Sequence, residues 1–176
     1  MSIITPERHR QFDLALALVE RKLRTTPVHV LTGVPESDLR QLYRLLHGSS
    51  PRSGSIPSTG HLLTSRRRQT KISVFAKIYQ SLLGREENWV VEGRLLIQSH
   101  DLFKALIGFK QAEEIDLTAG WSIIRELQAG VSKLPQCHRC GAWYIISENA
   151  DVPPSCPFCA LRRRQGSRAI PPEWLQ

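Results

Sequence analysis

Cys137-His138-Arg139-Cys140, fifteen further residues, then Cys156-Pro157-Phe158-Cys159: these two short runs hold every cysteine in the chain. Two Cys-x-x-Cys knuckles at this separation have the spacing of a four-thiolate zinc site. Each knuckle converges two sulfurs from one tight turn, and the loop is long enough to bring the pairs together. With Cys137, Cys140, Cys156 and Cys159 filling all four ligand positions, none stays open for water or substrate. One structural zinc ion per chain is therefore expected, and catalytic zinc is not. A pair of disulfides or an iron–sulfur centre would use the same residues. The first is disfavoured because the amino terminus lacks the shape of a secretory signal and a cytosolic compartment keeps thiols reduced. His138 is expected to face solvent.

Outward from the knuckles, Trp143-Tyr144-Ile145-Ile146 is strand material, and Asn149, Asp151, Pro153 and Pro154 read as a turn. The spacing predicts a small zinc ribbon with a short hairpin over residues 131–161. Lys133, Arg139 and the run Arg162, Arg163, Arg164 lie close enough in sequence to offset the surplus negative charge of four thiolates. Residues 162–176 read as a basic tail.

Residues 1–130 carry helical periodicity almost throughout. Phe12, Leu16, Val19 and Leu23, widened by Leu14 and Leu18, predict a long first helix after Pro6, with Arg21, Lys22 and Arg24 in its last turn and Pro27 as its interruption. One or two further turns fit between Pro27 and Leu31. Thr32-Gly33-Val34 then leads into a helix from Glu36 to His47, with Gly48 at its exit. On that helix Leu39, Leu42, Tyr43 and Leu46 share one face, and Ser37, Arg40, Gln41 and Arg44 the other. A short helix, a glycine turn and a second helix with an apolar back and an Arg/Gln front resemble a helix-turn-helix, whose polar face can meet base edges and phosphates in a major groove. A plain helical hairpin with a solvated face would read the same way.

Residues 49–65 are rich in Ser, Pro and Gly and read as a loop ending in the cations Arg66, Arg67, Arg68 and Lys71. Such a cluster can follow a phosphate backbone. Ile72, Phe75, Ala76, Tyr79, Leu82 and Leu83 predict the next helix up to Gly84. A further helix is expected from Trp89 to Ile107, with Val91, Leu95, Leu102 and Leu106 as its stripe, broadened by Leu96, Phe103 and Ile107. Leu117, Trp121, Ile124 and Leu127 mark one more, ending near Gly130. The fold class is thus mainly α: a helical bundle with a helix-turn-helix-like segment and a small C-terminal four-cysteine zinc ribbon.

The charge of +8 is unevenly spread over the 176 residues. From Leu39 to Arg85 there is no acidic residue and there are nine Lys or Arg, so the remainder of the chain sums to −1. One acid-free basic block is the footprint of a polyanion binder, although basic residues also decorate ordinary solvated faces. No apolar run approaches a membrane span, and a cytoplasmic protein is expected. Glycine phosphate loops, His-Glu-x-x-His zinc helices and glycine-flanked serine elbows are all missing, and His100-Asp101 has no nucleophile beside it, so an enzyme is not expected.

The chain also resembles the FlhC family of bacterial flagellar transcription activators. The resemblance rests on Leu39-Arg40-Gln41-Leu42-Tyr43-Arg44-Leu45-Leu46-His47-Gly48-Ser49, the Pro51, Gly54 and Pro57 loop, and Leu117-Thr118-Ala119-Gly120-Trp121 leading to Cys137-His138-Arg139-Cys140-Gly141. It implies a mainly helical DNA-binding subunit that joins FlhD in a heterohexamer, activates flagellar operons from double-stranded promoter DNA, works with RNA polymerase, and binds zinc through the four cysteines. After the loop proline the chain departs from the family pattern, with Ser58-Thr59-Gly60-His61-Leu62-Leu63 in place of an aromatic-rich segment. A zinc-stabilised protein-interaction adaptor without sequence-specific DNA binding, or an RNA-binding factor, would be compatible with the residues alone.

Overall fold

The computed structural model describes residues 5–84 and 88–166. Helices α1 (Pro6–Glu20), α2 (Thr25–Thr32) and α3 (Glu36–His47) come first, then the one-turn α4 (Thr59–Leu62) and the long α5 (Arg66–Leu83). Next are α6 (Gly93–Ile107), the short α7 (Phe109–Ala112) and α8 (Leu117–Gln128). Two-residue strands β1 (Ser132–Lys133) and β2 (Ile146–Ser147) pair antiparallel, and α9 (Pro157–Gly166) closes the described chain.

α1 begins where Thr5 caps it by accepting from the Arg8 N–H, with Pro6 in the first turn, where its missing N–H costs nothing. It ends at Glu20, earlier than its periodicity suggests, so Arg21, Lys22 and Arg24 lie beyond its last turn. Its buried face is Ala15, Leu18 and Val19, whereas Phe12 and Leu16 are 41% and 38% exposed. The expected stripe is therefore kept at Leu18, Val19 and Leu23, all buried, and departs from the core at Phe12 and Leu16. Pro27 does not interrupt a helix; it sits in the first turn of α2, where a proline is tolerated.

α3 has the expected bounds and stops at Gly48, whose φ of 64° is left-handed and suits a residue without Cβ. Leu39 and Tyr43 are buried, Leu42 is half-buried, and Leu46 is exposed. His47 donates from Nε2 to the Val19 carbonyl at 2.8 Å, tying α3 to the end of α1.

The expected loop over 49–65 contains one anchored turn. Thr59 and Gly60 are buried, Leu62 and Leu63 belong to the core, and Ser122 Oγ donates to the Pro57 carbonyl at 2.7 Å. Gly60 passes so close to the Asn149 backbone that a Cβ there would lie 2.6 Å from its carbonyl oxygen. The pattern missed this turn because four residues are too few to show a period.

α6 starts at Gly93 instead of Trp89, and its core contacts are Leu96, Ser99, His100 and Phe103; Leu102 and Leu106 face outward. α8 is the central helix, buried at ten positions from Leu117 to Leu127, and the ring of Phe75 on α5 meets Phe103 edge-on at 5.7 Å. Among the described residues no helix is long and apolar enough to cross a membrane.

The ribbon shares the body's core through Leu134 and Ile145. α5 also supplies the polar partners that β2's approach lacks: Gln69 Nε2 donates to the Ile145 carbonyl at 2.9 Å, and the Ile145 N–H donates to Ser73 Oγ at 3.0 Å. Both side chains are fully buried, so these bonds satisfy backbone groups that would otherwise be stranded from water. α9 runs across the expected 161/162 boundary to Gly166, which makes Arg162 and Arg163 helical; residues 167–176 of the expected tail lie outside the described residues.

Candidate metal centre and basic surfaces

The four sulfurs come together. Each Sγ lies within 4.8 Å of every other, with Cys137 to Cys159 at 3.9 Å and Cys140 to Cys156 at 3.6 Å. A tetrahedral ion with metal–sulfur bonds near 2.3 Å places its ligands about 3.8 Å apart, close to the two shorter separations here, so the donor set fits such an ion with shifts of about 1 Å at most. All four cysteines are free thiols, not disulfides.

Local backbone builds the cradle. Cys137 N–H donates to the Ala142 carbonyl and Gly141 N–H returns to the Cys137 carbonyl, closing the first knuckle as a tight turn, with the Gln136 and Trp143 bridge behind it. The second knuckle spans the start of α9, whose first turn carries Cys159 back towards the first pair. The N–H groups of Cys140 and Arg139 aimed at the Cys137 sulfur pull that thiol down to about 6. Cys159 is pushed up to about 12, chiefly by its sulfur contact with Cys140, and burial raises Cys156. One thiolate forms readily and then opposes the others, as expected of a cluster whose charges need a cation among them. His138 is exposed, as expected of a bystander.

The proposed nucleic-acid residues divide between two elements. Arg40, Gln41 and Arg44 all lie exposed on the outer face of α3. Arg40 pairs with Glu36 at 2.6 Å, an exposed contact worth little on its own, and Arg44 Nε reaches Ser50 Oγ at 3.3 Å. Glu36 also accepts from Thr26 Oγ1 at 3.0 Å, so the start of α3 is linked to α2. α2, a three-residue turn and α3 thus form a compact two-helix unit with its polar face outward.

Arg66, Arg67, Arg68 and Lys71 do not end a flexible loop; they form the first turns of α5, behind the Ser65 cap. Arg66 spans to the metal lobe, donating through Nη1 to the Pro153 and Ser155 carbonyls at 2.9 and 2.7 Å and through Nη2 to Ser155 Oγ at 2.7 Å. Arg68 donates to the Glu114 carbonyl, and Lys71 pairs with Glu114 at 3.0 Å. Arg67 is exposed. Arg66 is therefore a clamp between the body and the residue preceding Cys156. Arg66→Ala is expected to raise the rate of protease cleavage in the 150–156 segment several-fold while leaving the cleavage of α8 unchanged, read by limited proteolysis with mass mapping.

The family model described as flagellar transcriptional activator (FlhC) matches residues 2–170. The chain belongs to the FlhC family. It is 26% identical over 153 residues to the flagellar transcriptional regulator FlhC of Paraburkholderia atlantica, covering 86% of this chain and 69% of that protein. With the FlhC of Enterobacter cloacae subsp. cloacae it shares 24% over 165 residues, 89% of this chain and 85% of the relative. With that of Gallionella capsiferriformans it shares 25% over 143 residues, 80% and 77%. The FlhC family is one of transcriptional regulators, so the chain is a flagellar regulator and not an enzyme.

The segment that departs from the FlhC pattern, Ser58 to Leu63, is α4 and its flanks, and Thr59, Gly60, Leu62 and Leu63 are all buried. Its task here is packing. Sequence reasoning missed three residues that hold the lobe: Gln69 and Ser73, which fall in phase with Ile72 and Ala76 on the apolar stripe of α5, and Glu126, in phase with Ile123 on α8. Polar residues on an apolar stripe were the available signal.

Proposed function

We propose that the chain is the DNA-binding subunit of a heteromeric activator of flagellar operons. It assembles with FlhD in a heterohexamer in the cytoplasm, engages double-stranded promoter DNA and RNA polymerase, and holds one zinc ion at Cys137, Cys140, Cys156 and Cys159. The observation that supports the DNA reading is the outer face of α3: three exposed side chains of the residue types used in base readout, on the second helix of a compact two-helix unit. Arg67 adds an exposed phosphate contact on α5. The division into a body at 1–130, a ribbon at 131–161 and a basic segment at 162–176 follows the same reading, with the metal lobe docked on α5.

The test is binding of the chain, copurified with FlhD, to a labelled flagellar promoter and to a scrambled duplex across a salt series. The promoter should be preferred, with affinity falling steeply as salt rises. Arg40→Ala, Gln41→Ala and Arg44→Ala should each reduce that preference, by about 1–3 kcal/mol for a side chain on a base edge. Arg67→Ala should weaken both duplexes alike and lower the salt slope by roughly one. Equal, weak binding to both duplexes would favour an adaptor, a reading supported by the internal engagement of Arg66, Arg68 and Lys71.

A further inference from the structure

Behind the two-helix unit lies a cavity of about 410 Å³, bounded by the α1–α2 junction, the inner side of α3, α6 and the α7–α8 connection. That volume falls within the range of small-molecule sites. Its walls carry five cations: Arg21, Lys22 and Arg24 from the α1–α2 junction, Arg52 from the loop after α3, and Lys104 from α6. The facing carboxylates are Glu113 and Asp116, and Asp116 is occupied in capping α8 through the Ala119 N–H.

Two of the cations already have protein partners. Arg21 binds Asp101 at 2.9 Å, and Arg24 donates to the Gly54 and Ser55 carbonyls at 3.0 Å. The side chains of Lys22, Arg52 and Lys104 have no hydrogen bond or ion pair among the described residues. Lys22 also holds a left-handed φ of 61°, a conformation usually left to glycine at a helix exit. That conformation closes α1, with the Lys22 and Leu23 N–H groups donating to the Val19 and Leu18 carbonyls, and it sets the Lys22 side chain at the cavity wall.

The wall contains one more unexplained group. His100, 3% exposed, donates from Nε2 to the Ile115 carbonyl at 3.0 Å, which leaves Nδ1 as an acceptor with no partner. Burial, reinforced by Lys104, holds this imidazole below its ordinary pKa and hence neutral. A buried acceptor without a donor is a cost that a bound hydrogen-bond donor would remove.

We propose that this cavity binds a small anion bearing a phosphomonoester, with Lys22, Arg52 and Lys104 meeting its charge and His100 Nδ1 accepting from one of its hydroxyl groups. The chemistry matches on both counts. A phosphomonoester has a second pKa near 6 and still carries an O–H part of the time at neutral pH, whereas the phosphodiester of a DNA backbone has none. Nδ1 itself is covered, so that hydrogen bond needs a side-chain adjustment of the kind interfaces commonly make on binding. From α3 the site is lined by the buried Tyr43, whereas Arg40, Gln41 and Arg44 are exposed and do not line it.

The experiment titrates the full chain, copurified with FlhD, with adenosine 5′-monophosphate by calorimetry, at constant ionic strength set with sodium chloride. Saturable binding at one site per chain is expected, weakened at least tenfold by Lys104→Ala and by Arg52→Ala, a half-buried and an exposed residue that lie outside the apolar core. No saturable heat, or equal binding by the variants, overturns the proposal. Loss of adenosine 5′-monophosphate binding on adding promoter duplex, together with weaker duplex binding by Lys104→Ala, also overturns it, because the cations would then serve the DNA backbone. Anion binding without promoter preference would instead sink the DNA reading and leave this site standing.

Discussion

Cys156→Ser is expected to abolish stoichiometric zinc binding and to unfold residues 131–166 locally while the helical body persists. Cys156 is the most buried of the four cysteines at 8% exposed, its sulfur lies 3.6 Å from that of Cys140, and it immediately precedes the helix that returns Cys159 to the cluster. A serine hydroxyl at that position is a poor ligand for a soft-thiolate site and leaves three thiolates around the ion. Metal binding in lobes of this kind is worth about 10–16 kcal/mol at neutral pH, far more than two strands of two residues could supply. Two measurements separate the outcomes: metal content by emission spectroscopy, and protease mapping across the lobe. Full zinc content with unchanged cleavage would show that the fourth thiolate is dispensable. Zinc loss with an intact lobe would show that the docking on α5, through Gln69, Ser73 and Arg66, suffices without metal. Chelation of the unmodified chain should reproduce the Cys156→Ser cleavage pattern.

That competition between metal and docking explains what the sequence made legible. The cysteines announced their site because ligand chemistry fixes both residue type and spacing, and α3 announced itself because a turn glycine, an apolar back and a polar front all agree over Glu36 to His47. α1 and α6 were placed correctly as elements, but their stripes keep to the core only in part: Phe12, Leu16, Leu102 and Leu106 are apolar, helical in spacing and outward-facing. Periodicity counts apolar residues, and when a helix has more of them than its neighbour can cover, it does not say which ones are covered. Arg66, Arg68 and Lys71 show the same limit for charge. A run of cations reads as a phosphate surface until the carbonyls of Pro153, Ser155 and Glu114, distant in sequence, arrive beside them. The exposed apolar residues left on α1 and α6 have the character of surface that a partner subunit would cover.

Glu126→Ala is expected to produce the largest loss of stability among single changes in the body. Glu126 is 6% exposed, and its carboxylate gathers three segments: both oxygens accept from the Thr59 N–H at 3.1 Å, and Oε2 accepts from Ser132 Oγ at 3.1 Å. Thr59 starts α4 and Ser132 starts β1, so one side chain on α8 holds the entry to the ribbon and the turn that abuts Asn149. Alanine leaves two buried donors without an acceptor, each costing about 1–3 kcal/mol, and adds a void. A loss of roughly 3–6 kcal/mol lowers the midpoint by about 6–24 °C in a chain of this size. Glu126→Gln separates the terms. It keeps the shape and one acceptor oxygen but turns an amide N–H₂ towards a backbone N–H, so it should fall between wild type and alanine. If Glu126→Gln were as stable as the unmodified chain, the carboxylate's second oxygen and its charge would contribute nothing, and one acceptor oxygen would suffice to hold Thr59. Because α4 also touches the ribbon, the alanine change should increase proteolysis at 146–150 even with zinc bound, which distinguishes it from Cys156→Ser, where zinc itself is lost.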